Sequence, residues 1–232
     1  MKYWLCLALS IWPFFAAAQQ QVDLELVLAI DTSTSVDAAE FRLQRQGLAL
    51  AFTHPDVLAA IGVIGRHGIA VQVVQWAGEG QQAVSVNWHL VEGQASAENL
   101  AANILATPRM MRGFTDIAGA LHFASAGFAT NGYRGTRQVI DVSGDGTSSA
   151  ASPAFQRDQA VALGITINGL VILTEEVDLG TLADDIIVEH FQREVIGGPG
   201  AFVIVADSFD DFAVAIRRKL IREILGLVVS KL

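Results

Sequence analysis

Leu24-Glu25-Leu26-Val27-Leu28-Ala29-Ile30-Asp31-Thr32-Ser33-Thr34-Ser35 is the stretch whose reading decides the fold. Its apolar run has the character of a strand covered on both faces. It ends in an acid and two hydroxyls at alternate positions, so Asp31, Ser33 and Ser35 can project toward one point as the extended chain turns. A buried strand that carries oxygen donors to its carboxyl end predicts a hard-cation site there.

Working outward, Asp37-Ala38-Ala39-Glu40 is an acid-based capping box that starts a helix running to about Thr53. Ile69 to Trp76 and Ala83 to Leu90 are β-rich segments joined by Ala77 to Gln82, a hairpin that adds one antiparallel edge strand. Ser96 to Ala106 has helical spacing before Pro108 stops it, and Gly113-Phe114-Thr115-Asp116 opens a second helical run over Ile117 to Phe128. Strand-like Gln138 to Val142 leads into the turn-rich Ser143-Gly144-Asp145-Gly146, and Pro153 to Leu163 resumes helical spacing.

The alternation continues with a strand at Ile165 to Leu173, a helix at Leu182 to Phe191 and a strand at Ala201 to Ala206. A final helix, capped by Ser208, carries an apolar stripe of Phe212, Ile216, Leu220 and Ile224. This order predicts a doubly wound α/β fold: a mostly parallel six-stranded sheet with one antiparallel edge strand and helices on both faces.

Met1-Lys2, the apolar Tyr3 to Phe15 and the small residues Ala16-Ala17-Ala18 form the pattern of a secretory signal peptide cut after Ala18. The apolar stretch is shorter than the roughly 20 residues that span a bilayer, so no stable membrane span is expected after cleavage. The expectation is residues 1–18 as signal and 19–232 as a single domain, exported across the inner membrane to the periplasm. Cleavage removes Cys6, the one cysteine among 232 residues, so the mature domain is stabilised by its core without disulfides. Removing Lys2 leaves 24 acidic against 14 basic residues, a net charge of −10 that argues against nucleic acid as a partner.

In an open parallel sheet the loops after the carboxyl ends of the strands line the binding crevice. Three polar clusters fall there, and five of their residues, Asp31, Ser33, Ser35, Thr115 and Asp145, supply two carboxylates and three hydroxyls. Such donors suit Mg²⁺ or Mn²⁺, with Ca²⁺ a further candidate, whereas a softer metal would want His or Cys. Each residue also has a plainer reading. Thr115 could cap the helix after it, Ser35 or Asp37 could cap the helix after the first strand, and the segment 143–146 could be only a turn. His54, His67, His89, His122 and His190 have no paired spacing that would suggest zinc and read as surface or packing residues, as do Trp76 and Trp88 for the hairpin. Arg217-Arg218-Lys219 with Arg222 reads as the solvated face of the last helix.

The Asp-x-Ser-x-Ser phrase, the Gly-x-Thr-x-x-x-x-Ala-Leu phrase from Gly113 to Leu121 and the Asp-Gly phrase at Asp145 resemble the metal-ion-dependent adhesion site of a von Willebrand factor type A domain. Val22 to Asp31, Asp141 to Gly146 and Val195 to Phe202 further resemble the exported bacterial DUF1194 family. The resemblance implies that Ser33, Ser35 and Thr115 bind the ion directly or nearly so, that Asp31 and Asp145 act mostly through water, and that a partner's carboxylate completes the shell. One departure is Gly144, which separates Ser143 from Asp145 and leaves Asp141 as a second candidate for the remote carboxylate, with Asp145 preferred for its place in the turn.

Neutral hydroxyls close to the ion and carboxylates further off leave it incompletely neutralised, with affinity for an external anion. That predicts a cation-dependent binding module for a protein partner presenting Asp or Glu. The alternatives are a periplasmic receptor for a small anionic ligand or a metal-dependent hydrolase or phosphotransferase. A haloacid-dehalogenase-type phosphatase needs a second acid two positions after the first, where this chain has Ser33. The sequence also lacks a Gly-x-Ser-x-Gly elbow and a Lys-bearing phosphate loop, so no catalytic constellation is expected.

Overall fold

The computed structural model describes residues 19–149, 151–173 and 181–226; the expected signal peptide and Cys6 lie outside the described residues. The apolar run forms β2 (Leu24–Asp31), buried at every position, immediately after the short β1 (Gln20–Val22). It lies near the middle of a six-stranded sheet with β3 (Ile69–Trp76), β4 (Gln82–Val91), β6 (Gln138–Gly144), β7 (Ile165–Ile172) and β8 (Val203–Ala206), in the order β4-β3-β2-β6-β7-β8. All neighbours run parallel except β3 and β4, so the hairpin supplies the antiparallel edge as the sequence predicts. A small parallel pair, β1 with β5 (Tyr133–Gly135), was not anticipated.

Full burial of β2 follows from helices on both sides. One face of the sheet packs against α1 (Ala38–Phe52), α2 (Pro55–Ile64), α3 (Gln94–Ala106) and α7 (Phe212–Leu225), with Leu26, Leu28 and Ile30 meeting Leu48, Phe52, Ile104, Ile216 and Leu220. The other packs against α4 (Ile117–Ala126), α5 (Ala154–Ala162) and the π-helical turn Phe191–Val195 that follows α6 (Thr181–His190); Val27 and Ala29 meet Leu121, Ile140 and Phe191 in its core. Each fully buried Leu or Phe removes apolar surface worth roughly 1.5–3 kcal/mol. Among the described residues, no single helix is long and apolar enough to cross a membrane.

The helix after the first strand ends at Phe52 with Thr53 as its C-cap, where the sequence ends it, and a second helix that the pattern did not reveal follows, with His54 as its N-cap and Pro55 at its first position. Two expectations need correction. Ser208 does not cap the last helix: Asp211 is the N-cap residue, and the Ser208 hydroxyl is a turn partner 3.4 Å from the Asp211 amide. The basic run of α7 is also not wholly solvated. Lys219 is fully buried, with its Nζ 2.8 Å from Asp141 Oδ1 and 2.5 Å from Glu223 Oε1, while the Arg222 guanidinium lies 3.8 Å over the Phe202 ring. Lys219 answers a carboxylate that β6 carries into the core, a partner that helical periodicity cannot reveal.

Candidate metal centre

The top of β2 is shaped by local hydrogen bonding that its own sequence encodes. Asp31 Oδ1 accepts the Ser33 backbone N–H at 2.7 Å, folding the chain back over the strand end. Thr32 donates both its amide, at 2.8 Å, and its hydroxyl, at 3.0 Å, to the Trp76 carbonyl at the end of β3. The turn then presents Ser33 and Ser35 side by side, their hydroxyl oxygens 3.0 Å apart. Ser35 Oγ donates to Asp145 Oδ1 at 2.8 Å, joining the loop after β2 to the loop after β6.

Four of the five proposed donors therefore meet at one point. Thr115 belongs to the third loop, which is bound to the first by both the amide and the hydroxyl of Thr34, donating to the Gly113 carbonyl at 2.8 and 2.9 Å. Its own backbone is bracketed by Ser149, whose amide donates to the Thr115 carbonyl at 2.8 Å and whose hydroxyl accepts the Thr115 N–H at 3.1 Å. All three polar clusters are thus fastened to one another at the carboxyl end of the sheet.

The plainer readings divide cleanly. Asp37 makes the full capping box of α1, accepting from Ala39 N at 2.6 Å and Glu40 N at 2.8 Å, so the cap does not need Ser35. Asp116 caps α4 by accepting the Gly119 amide at 3.0 Å, so the cap does not need Thr115 either. Asp141, the second candidate for the remote carboxylate, is engaged by Lys219 beneath α7. It is Asp145 that reaches Ser35.

The electrostatics of the two carboxylates are those of a site short of positive charge. Asp31 is fully buried, and burial, reinforced by the nearby Asp145 charge, pushes its pKa from 3.8 up to about 7. Burial also raises Asp145. The second oxygens of both side chains, Asp31 Oδ2 and Asp145 Oδ2, are buried without a hydrogen-bond partner. Unpaired buried carboxylate oxygens are costly, and a cation between them would remove the cost. Among the described residues no group of three or more His, Cys, Asp and Glu could hold a metal, so other oxygen donors would have to complete any set built on Asp31 and Asp145. A Cβ at Gly144 would lie 3.1 Å from Asp31 Oδ2, so a side chain directly before Asp145 would crowd that carboxylate.

Several residues that support the site carry no sequence signal. The Arg109 guanidinium donates Nη2 to the carbonyls of Thr32, at 2.8 Å, and Ser33, at 2.6 Å, fixing the turn from outside. Gln44 Nε2 donates to the Asp31 carbonyl at 3.2 Å from α1. His190 accepts the Ser148 amide at 3.2 Å and so braces the loop after Asp145, a role beyond the surface or packing place read from its spacing. Only their proximity across the fold identifies them.

With that geometry in hand, likeness to known proteins can be stated. A family described as "Protein of unknown function (DUF1194)" matches residues 21–228. A search of curated proteins finds no match. Proximal thread matrix protein 1 from the mussel byssus superposes with a TM-score of 0.66 at 16% identity, over 89% of this chain and 49% of that one. The chain therefore spans about half the length of the mussel protein, which has also been solved with a zinc-occupied MIDAS motif. BatB from Bacteroides thetaiotaomicron gives 0.58 at 15% identity, over 88% of this chain and all of that one. The vWF domain of the type V pili tip protein Mfa5 from Porphyromonas gingivalis gives 0.59 at 11% identity, over 91% and 98%. At these identities the likeness is one of fold, and with the family match it leads to a single statement: the chain belongs to the DUF1194 family and shares its fold with these proteins, the vWF domain of Mfa5 among them.

Proposed function

We propose that this protein is an exported binding module, not an enzyme, whose divalent-cation site engages an acidic group on a protein partner. The observation that carries the reading is the pair of buried, unpartnered oxygens on Asp31 and Asp145 beside the hydroxyls of Ser33 and Ser35. Ser33, Ser35 and Thr115 would hold the ion, with Asp31 and Asp145 as the more remote carboxylates, and Mg²⁺ or Mn²⁺ suits this all-oxygen set. Bound there, the ion supplies an electrophilic coordination point for an external carboxylate. The chain's own part is to present neutral hydroxyls inward, orient them through Asp31 and Arg109, and keep the acids from saturating the charge.

Binding is favoured over phosphoryl transfer because the position two residues after Asp31 holds Ser33 in place of an acid, and the Ser33 backbone N–H donates to Asp31 Oδ1. Export is supported by the signal pattern of residues 1–18, and the pilus-tip context named for Mfa5 agrees with it. The test is calorimetric titration of the mature domain with MgCl₂, MnCl₂ and CaCl₂. One site is expected in the wild type, none in Asp31→Ala, and weakened binding in Ser33→Ala. Equal binding by the wild type and Asp31→Ala would remove the site from consideration.

A further inference from the structure

The segment Thr107 to Asp116 crosses the carboxyl end of the sheet beside the candidate metal centre, and it is held at almost every step. Arg45 donates to the Leu105 carbonyl at 2.8 Å and the Thr107 carbonyl at 2.7 Å. The Gln75 amide brackets the next turn, donating to the Pro108 carbonyl at 2.9 Å and accepting the Met110 N–H at 2.8 Å. Gly113 is fastened to Thr34, and the Asp116 amide donates to the Ala77 carbonyl at 2.9 Å.

A loop so firmly pinned has no need to expose apolar side chains, yet this one does. Phe114 is 83% exposed, directly before Thr115, and Met110 is 48% exposed. Arg112 is exposed between them, and Arg109 keeps one buried guanidinium nitrogen, Nη1, without a partner. Arg42, Arg109 and Arg112 gather at this corner, the first two facing Asp37, while Asp31, Asp37 and Glu40 lie near Arg109, so among them Arg112 is the exposed cation turned to a partner. Burial and the adjacent Arg112 depress Arg109, against the opposing pull of Asp31, Asp37 and Glu40. Exposed Phe and Met with Arg, held rigid, are the residue types that anchor protein interfaces, because little ordering entropy is lost when a partner covers them.

We propose that Met110, Arg112 and Phe114 form a second contact beside the metal centre, selecting protein segments in which the metal-binding acid is flanked by a bulky apolar residue and by further negative charge. This rests on the cation-dependent reading of the site. The apolar neighbour packs on Phe114 and Met110, and the added acid meets Arg112, so the partner's acid gains affinity from a surface that a free carboxylate cannot use.

The experiment selects phage-displayed random peptides on the immobilised mature domain in MgCl₂, elutes with EDTA, and measures the enriched peptides by calorimetry. The expected consensus pairs Asp or Glu with a neighbouring Phe, Trp, Leu or Met. The double variant Met110→Ser, Phe114→Ser should bind those peptides about tenfold or more weakly, and Arg112→Glu should disfavour the more acidic ones. Both variants should keep the wild-type rise in melting temperature on adding MgCl₂. Unchanged peptide affinity in the double variant, a consensus without an apolar neighbour, or no Mg²⁺-dependent peptide at all overturns the second contact if that rise is intact. Absence of the rise in the wild type overturns the metal reading as well, which separates the two failures.

Discussion

Replacing Asp31 by Asn should stabilise the metal-free domain while abolishing its response to Mg²⁺. The Asp31 carboxyl titrates at about 7 in the folded chain because it is buried and faces Asp145, against 3.8 when freely solvated. The folded state thus holds its proton more tightly than the unfolded state, so the stability it contributes is full below pH 3.8 and is lost as pH rises toward and through about 7. At about 1.4 kcal/mol per pH unit, that interval amounts to about 4 kcal/mol at most. For a domain of this size such a loss corresponds to a melting-temperature fall of about 8–16 °C.

Asn keeps the oxygen that accepts the Ser33 amide but carries no charge, so it avoids the penalty at every pH. Thermal unfolding in EDTA at pH 5 and pH 8, repeated with MgCl₂, is the assay. In EDTA at pH 8, Asp31→Asn should melt above the wild type by the full margin; at pH 5 the gap should narrow to about 1.6 kcal/mol. MgCl₂ should raise the wild type at pH 8 and leave the variant unmoved. If the variant melts below the wild type in EDTA at pH 8, the charge on Asp31 is not a cost to the empty fold, and the electrostatic argument for a cation fails.

Two further substitutions probe the scaffold. Lys219→Met leaves Asp141 and Glu223 buried without their shared cation and should cost about 3–5 kcal/mol in chemical denaturation; adding Asp141→Leu and Glu223→Leu should recover most of that loss. Arg109→Ala removes two charge-assisted bonds to the turn at Thr32 and Ser33, each worth about 1.5–3 kcal/mol. It should reduce the Mg²⁺-induced rise in melting temperature more than it lowers stability in EDTA, and an equal effect on both would assign Arg109 to the fold alone.

Much of this architecture is written locally. The unbroken apolar run at β2 could be satisfied only between two helical layers, and the Asp37 to Glu40 capping box starts α1 where it was read. The hairpin before α3 becomes the antiparallel edge because its connection of a few residues is too short for a parallel crossover. The end of α1 near Thr53 is legible, but α2 directly after it is not, because its start rests on His54 as N-cap and Pro55 at the first position, a weaker signal than the acid-based box that opens α1.

What the chain alone determined is therefore the strand and helix order, the loops at the carboxyl end of the sheet, and the oxygen-bearing residues those loops carry, since these follow from short-range patterning and residue chemistry. Tertiary structure decided how they meet. It set Ser35 on Asp145 rather than Asp141, gave the capping of α4 to Asp116 with Thr115 left over, and sent Lys219 inward to Asp141 instead of outward to water. It also raised the Asp31 pKa, because desolvation and the approach of Asp145 arise only when segments more than a hundred residues apart are packed together.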